Sequence, residues 1–164
     1  MTIDELDARL IETMRSSPRV GLLEIARRLG VARGTVQARL AKLERDGVIT
    51  GFGPEVDAPA LGYAITAFML VELAQGRLAD AVAAIETLPE VLEADAISGP
   101  QDLICRIVAR DTEHLQKLVN ELLRTPAIRR CTSYIVLSRQ VPPRTGPLVA
   151  AAGGRGRRRG RDRG

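Results

Sequence analysis

The sequence predicts an α+β protein: a three-helix N-terminal domain built around a helix-turn-helix, joined to a C-terminal βαββαβ domain of ferredoxin-like topology. Three observations carry this. Leu22 to Ile49 (LLEIARRLGVARGTVQARLAKLERDGVI) sets two helical periodicities around a short turn at Gly30. From Tyr63 the period changes to alternating runs interleaved with two amphipathic helices. Between them, Gly53 to Gly62 holds Pro54 and Pro59, which favour extended or turning backbone. The expected divisions are residues 1–52, a linker at 53–62, residues 63–141, and a tail at 142–164.

The first helix is expected over Asp4 to Ser16, with Leu6, Leu10, Ile11 and Met14 facing inward and Pro18 beyond its end. The second spans Leu22 to Leu29. Two helices cross closely around a short turn only with a small residue at the contact and a turn residue soon after, and Ala26 and Gly30 supply these. Val36 follows six residues later and points back at Ala26. The third helix runs from Arg33 to Asp46, stopped by Gly47, with Val36, Leu40 and Leu43 as one apolar stripe. Val48 to Phe52 reads as a short strand leaving the module. The opposite face of the third helix carries Gly34, Thr35, Gln37, Ala38, Ala41, Lys42 and Arg45, with no acid before Glu44. Such a face can enter a DNA major groove without repelling phosphate; the bland alternative is a basic helix packed on any small bundle.

In the second domain, Ala64 to Leu73 is a strand and Leu78, Ala81, Val82, Ile85 and Leu88 mark a helix. Val91 to Ile97 and Leu103 to Ala109 are strands separated by the turn SGPQD. Thr112 can cap a helix faced by Leu115, Leu118, Val119, Leu122 and Leu123, and Ile128 to Val141 closes the series. Two helices cover one face of a four-stranded sheet, so a monomer should have a polar second face. Here Ala64, Phe68 and Leu70, with Ile104 and Val108, make that face apolar too. A second copy of the same sheet would cover it, so at least a homodimer is expected.

Charge divides unevenly. Residues 1–52 hold nine Lys/Arg and seven acids, 53–141 eight and twelve, and 142–164 seven and one, giving +2, −4 and +6. The tail, PPRTGPLVAAAGGRGRRRGRDRG, is of low complexity and is expected to be disordered, serving either solubility or nonspecific attraction to nucleic acid. Cys105 and Cys131 lack CxxC spacing or nearby histidines, so they read as small buried hydrophobes rather than zinc ligands, and no cofactor is expected. No apolar run approaches the roughly 18 residues of a membrane span, and the start, MTIDELDARL, is acidic and amphipathic rather than a signal peptide. These features point to a cytoplasmic, nucleoid-associated protein without a membrane partner.

The order of domains, with LDARLIETM, IARRLGVARGTVQARLAKLERDGVI and SGPQDLICRIVARD, resembles the Lrp/AsnC family of transcription regulators over residues 4 to about 141. The resemblance implies a dimer formed through the C-terminal sheets and extending to octamers, binding of double-stranded DNA at spaced half-sites, and a small effector, usually an amino acid, held between C-terminal domains. It places DNA contacts at Arg33, Thr35, Gln37, Ala38, Arg39, Lys42 and Arg45. Chemically, Gln37 can address adenine through two hydrogen bonds, Arg33 can take guanine or phosphate, and the Ala38 and Ala41 methyls suit thymine. Lys42 and Arg45 suit phosphate, and Arg39, nearer the core edge, suits a phosphate or a structural role. Ala32 stands where the family usually caps the helix with Ser or Thr, a difference that costs ~1 kcal/mol.

For the effector, the family's Gly-x-x-Asp turn is matched by Gly99 and Asp102, with Pro100 and Gln101 between them, and Ser133 falls where a family hydroxyl lies. The same turn can equally be structural, with Asp102 fixing it. Two rival functions remain. One is an architectural protein coating DNA with little sequence preference. The other is an enzyme resembling the siroheme decarboxylases of similar architecture, but the chain has one histidine, His114, expected in a solvated helix turn, and no catalytic set of residues.

Overall fold

The structure, a computed structural model, describes residues 3–161, with side-chain surroundings through Gly154. The chain forms α1 (Glu5–Ser16), α2 (Leu22–Leu29), α3 (Arg33–Arg45), a 3-10 turn (Pro59–Leu61), β1 (Ile65–Leu73), α4 (Leu78–Glu86), β2 (Val91–Ala96), β3 (Leu103–Ala109), α5 (Thr112–Leu123), β4 (Ile128–Ile135) and α6 (Gly146–Arg161). It divides into two compact units. One runs to Pro54 and takes in the chain from Val141 onward; the other is Glu55–Gln140.

In the first unit, α1 opens on a reciprocal capping box: the Asp7 N–H donates to Asp4 Oδ1 at 2.8 Å and the Asp4 N–H to Asp7 Oδ2 at 3.1 Å. Helix α2 ends at Gly30, whose φ of 71° is the left-handed value that glycine enters without steric cost. The Val31 N–H then closes the turn on the Ala26 carbonyl at 3.1 Å. Ile3, Leu10, Ile25, Ala26, Leu29, Val36 and Leu43 form the core, with Leu6, Ile11 and Met14 packed at its edge. The Ala26–Gly30–Val36 spacing therefore does what it promised, and Leu40 is half-buried at the stripe's margin.

Two expectations in this unit are corrected. Val48–Phe52 forms no strand. The Val48 and Ile49 N–H groups both donate to the Leu43 carbonyl, at 2.8 and 3.1 Å, wrapping the chain onto the end of α3, and among the described residues no strand lies alongside to pair with it. The tail, expected to be disordered, instead enters α6 (Gly146–Arg161). Low complexity hid the run PLVAAA, which has something to bury: Val149 and Ala152 pack on the first core. At Gly153 an added Cβ would stand 2.5 Å from the Ala8 Cβ, so glycine lets α6 approach α1. Residues 162–164 lie outside the described residues.

The second unit has the expected βαββαβ order, as an antiparallel sheet ordered β2-β3-β1-β4. Ala67, Met69 and Val71 of β1 and Leu103, Cys105 and Ile107 of β3 are buried on one face with Ala81 and Ile85 of α4 and Leu115, Leu118 and Leu122 of α5. Register places Phe68 beside Arg106 and Tyr134, and Leu70 beside Ile104 and Thr132, on the opposite face. That face is mixed. Phe68 is 41% exposed and Tyr134 56%, while Glu93 and Arg106 approach to 3.8 Å across β2 and β3.

Three local corrections follow from hydrogen bonding. Helix α5 is capped by Asp111 rather than Thr112, its carboxylate accepting the His114 N–H at 2.7 Å. Strand β4 stops at Ile135 rather than Val141; Ile135 pairs with Ala67, near the start of β1, and Pro142 and Pro143 follow. His114 is half-buried and partnered rather than fully solvated: Nδ1 accepts the Arg110 N–H at 3.2 Å and Nε2 lies 3.5 Å from Glu90.

Candidate nucleic-acid interface and effector turn

Helix α3 buries Val36 and Leu43 and leaves Arg33, Gly34, Thr35, Gln37, Ala38, Ala41, Lys42 and Arg45 exposed. Its N-cap, Ala32, is extended (φ −66°, ψ 148°) and makes no side-chain hydrogen bond, and its first turn carries no acid. Main-chain N–H groups at such an end attract anions, and the helix dipole adds to the pull. A cleft of about 560 Å³ runs beside this face, lined by Asp4, Gly34, Thr35, Ala38, Arg39 and Lys42. At the other end, Arg45 lies 3.6 Å from Asp46, which leaves its guanidinium at the surface.

Arg39 differs from the other basic residues. Its Nη1 donates to Asp4 Oδ2 at 2.6 Å and to Asp7 Oδ1 at 2.7 Å, tying α3 to the start of α1. Of the two roles expected for it, the structural one matches this geometry, and its guanidinium is turned to carboxylates. Partial desolvation alone would raise the Asp4 carboxyl, but hydrogen bonds from Arg39 and the Asp7 and Leu6 N–H groups outweigh it and hold it below its ordinary value. Those two carboxylates also raise the Arg39 guanidinium.

Asp7 was missed in the sequence. Only 1% exposed, it is the sole buried charged residue among the described residues. The signal was available, because Asp7 lies three before Leu10 and seven before Met14, on the apolar stripe of α1. A charge there requires a partner. On α2, hydrogen bonds from Arg27 and Arg28 pull the Glu24 carboxyl down to about 2, so this acid offsets two arginines at the surface.

In the second unit, Gly99 has a φ of 140°, open to glycine and costly for any other residue, and Pro100 and Gln101 follow it around the turn. Asp102 is engaged three times: its carboxylate accepts the Leu73 N–H at 2.7 Å, its own N–H donates to the Val71 carbonyl at 2.9 Å, and its carbonyl accepts the Ile97 N–H at 2.9 Å. It fastens the turn to the end of β1. Ser133 pairs with Met69 on the other side of β1, two strand spacings from β3 and three residues along β1 from the level of Asp102, so the two lie roughly 14 Å apart within one chain. The residues expected around an effector are thus split between a tied turn and an edge strand.

Both cysteine thiols are pushed up to about 11, mainly by burial, with Cys131 and Asp95 adding at Cys105, in keeping with small core residues. Among the described residues no group of three His, Cys, Asp or Glu could hold a metal, and no helix is long and apolar enough to cross a membrane.

A helix-turn-helix whose second helix exposes a face free of acid before Glu44, followed by a βαββαβ sheet domain, defines a DNA-binding regulator of two functional parts. Comparison with known proteins is consistent with that division. Residues 3–50 match a winged helix-turn-helix DNA-binding model and residues 66–145 the Lrp/AsnC ligand-binding domain. The regulatory protein AsnC of Escherichia coli K12 is 30% identical over 141 residues, 85% of this chain and 93% of AsnC. The regulator AldR of Mycolicibacterium smegmatis is 33% identical over 124 residues, 74% of this chain and 72% of AldR. The solved structure of E. coli AsnC superposes with a TM-score of 0.82 at 28% identity, covering 90% of this chain and all of that one. The chain belongs to the Lrp/AsnC family of transcription regulators. Its function is DNA-binding regulation rather than enzyme catalysis.

Proposed function

We propose that the protein reads DNA through α3 as a homodimer built on its C-terminal sheets, with an amino acid or similar small molecule as effector. The observation that carries the reading is the exposed α3 face from Arg33 to Lys42, free of acid at a helix N-terminus that no side chain caps. Thr35, Gln37 and Ala38 face the bases, while Arg33, Lys42 and Arg45 take phosphates. Arg39 holds α3 at its angle instead of touching DNA. The apolar stripe of Phe68, Leu70 and Ile104 supports pairing with a second sheet, which places two copies of α3 on paired half-sites.

Gln37→Ala should cost roughly 1 to 3 kcal/mol of discrimination at one base position per half-site, measured on a duplex selected from a random pool. An unchanged preference would take Gln37 out of the reading set.

The effector reading rests on a relative: a feast or famine regulatory protein of Mycobacterium tuberculosis, Rv3291c, was solved complexed with L-methionine, and it matches with a TM-score of 0.76 at 26% identity over 86% of this chain and 96% of its own. The Gly99–Asp102 turn, with Pro100 and Gln101, offers backbone donors, and Ser133 of a neighbouring copy offers a hydroxyl. L-methionine should raise the melting temperature of the full chain in a concentration-dependent way; a flat response would remove methionine as the effector.

A further inference from the structure

We infer that Asp4 is a specificity-determining residue of the DNA face: its carboxylate fills, from within the chain, a seat on α3 that a DNA phosphate would otherwise take. This rests on the proposed DNA reading by α3. The cleft beside the reading face is lined by Gly34, Thr35, Ala38, Arg39 and Lys42 of α3 and by Asp4, which reaches it from the start of α1. Without Asp4 that lining suits phosphate. It offers a guanidinium, an ammonium, a hydroxyl and the first turn of a helix whose end no side chain caps. Asp4 sets the one acid among these six residues against the guanidinium, its Oδ2 accepting from Arg39 Nη1 at 2.6 Å.

The charge is more than the fold requires. Asp4 Oδ1 caps α1 by accepting the Asp7 N–H at 2.8 Å, a task asparagine performs as well. Arg39 already has the buried Asp7 carboxylate at 2.7 Å, so Asp4 leaves the three side chains at a net −1. That surplus lies at the surface, where the Asp4 side chain is 52% exposed. Partial desolvation opposes its ionisation, but hydrogen bonds from Arg39 and the backbone keep the carboxyl below its ordinary value, so it is charged at neutral pH. A fixed negative charge costs affinity for any polyanion and returns discrimination. On matched DNA, contacts to base edges set the path of the backbone. On unmatched DNA nothing sets it, and an open seat at Arg39 would reward whichever phosphate came near; Asp4 removes that gain.

The test measures binding to a selected duplex and to mixed-sequence DNA across a salt series, for the full chain, Asp4→Asn and Asp4→Glu. Asparagine keeps the cap and an oxygen for Arg39 but loses the charge; glutamate keeps the charge and weakens the cap. Asp4→Asn should bind mixed DNA roughly three- to tenfold more tightly, with a slope of log affinity against log salt steeper by about 0.9, the share of one phosphate contact. The selected duplex should gain less, so discrimination falls. Asp4→Glu should melt at a lower temperature yet discriminate as the parent does. Undiminished discrimination in Asp4→Asn would overturn the inference and leave Asp4 as a cap alone. An equal loss in Asp4→Glu would overturn it by tying the effect to helix geometry, and a changed preference at a single base pair would do so by making Asp4 a reader of bases. Each of these leaves the reading by α3 standing. Failure of the parent chain to favour any duplex would refute that reading itself, and the inference with it.

Discussion

Arg39→Ala is expected to destabilise the first unit by about 2 to 4 kcal/mol, because it strands the Asp7 carboxylate in the core. A fully buried pair would cost more. Here Arg39 is 29% exposed and Asp4 52%, so solvent recovers part of the loss, whereas Asp7 at 2% recovers almost none. A double-mutant cycle with Asp7→Ala, followed by urea denaturation, isolates the coupling between them. Independence of the two substitutions, with DNA affinity falling instead, would put this guanidinium on a phosphate. The linkage also has a pH signature. The folded Asp4 carboxyl lies below its ordinary 3.8, so its contribution to stability is full above that value and is lost as pH falls through the lower folded one.

The second large effect concerns assembly. Phe68→Asp should convert the proposed dimer to monomers at micromolar concentration, read by sedimentation velocity. Phe68 is central on β1 and stands across from Arg106 and Tyr134, on the face away from α4 and α5. Two-fold pairing would bury the new carboxylate once in each copy, and each desolvation opposes association by several kcal/mol. The substituted chain should keep its fold, since Phe68 is 41% exposed and lies outside the core. A dimer that survives would move the interface to another surface. Monomers should also lose affinity for paired half-sites far beyond any change at a single site, because the second contact no longer benefits from a high effective concentration.

Most of the fold was legible because its signals are local and periodic. Gly30 ends α2 where only a left-handed residue serves, and β1 and β3 alternate strictly enough to show which side chains face the helices. Features set by tertiary partners were harder to read. Val48–Phe52 has strand-like residues, but a strand exists only as part of a ladder, and Ile135 is the last residue of β4 because the beginning of β1 limits the pairing. The tail misled through composition: glycine and arginine dominate it, yet Val149 and Ala152, three residues apart within PLVAAA, pack on the first core.

At the candidate interface, the residue types and their helical spacing located α3 and its exposed face directly. The Arg39–Asp4–Asp7 cluster needed coordinates, since its members are separated by 35 and 32 residues. The effector turn was legible as a turn, with Gly99 at positive φ, but the three hydrogen bonds that occupy Asp102 depend on how β1 lies against it.

The most direct test of the central claim is selection of duplexes from a random pool by the full-length chain, followed by competition with mixed-sequence DNA. The enriched sequences should contain one short motif in two inverted copies, with centres about one helical turn of DNA apart or a multiple of it, and should hold the protein against excess competitor as salt rises. A pool that stays random while binding remains tight would contradict reading by α3 and leave a protein that coats DNA through charge alone.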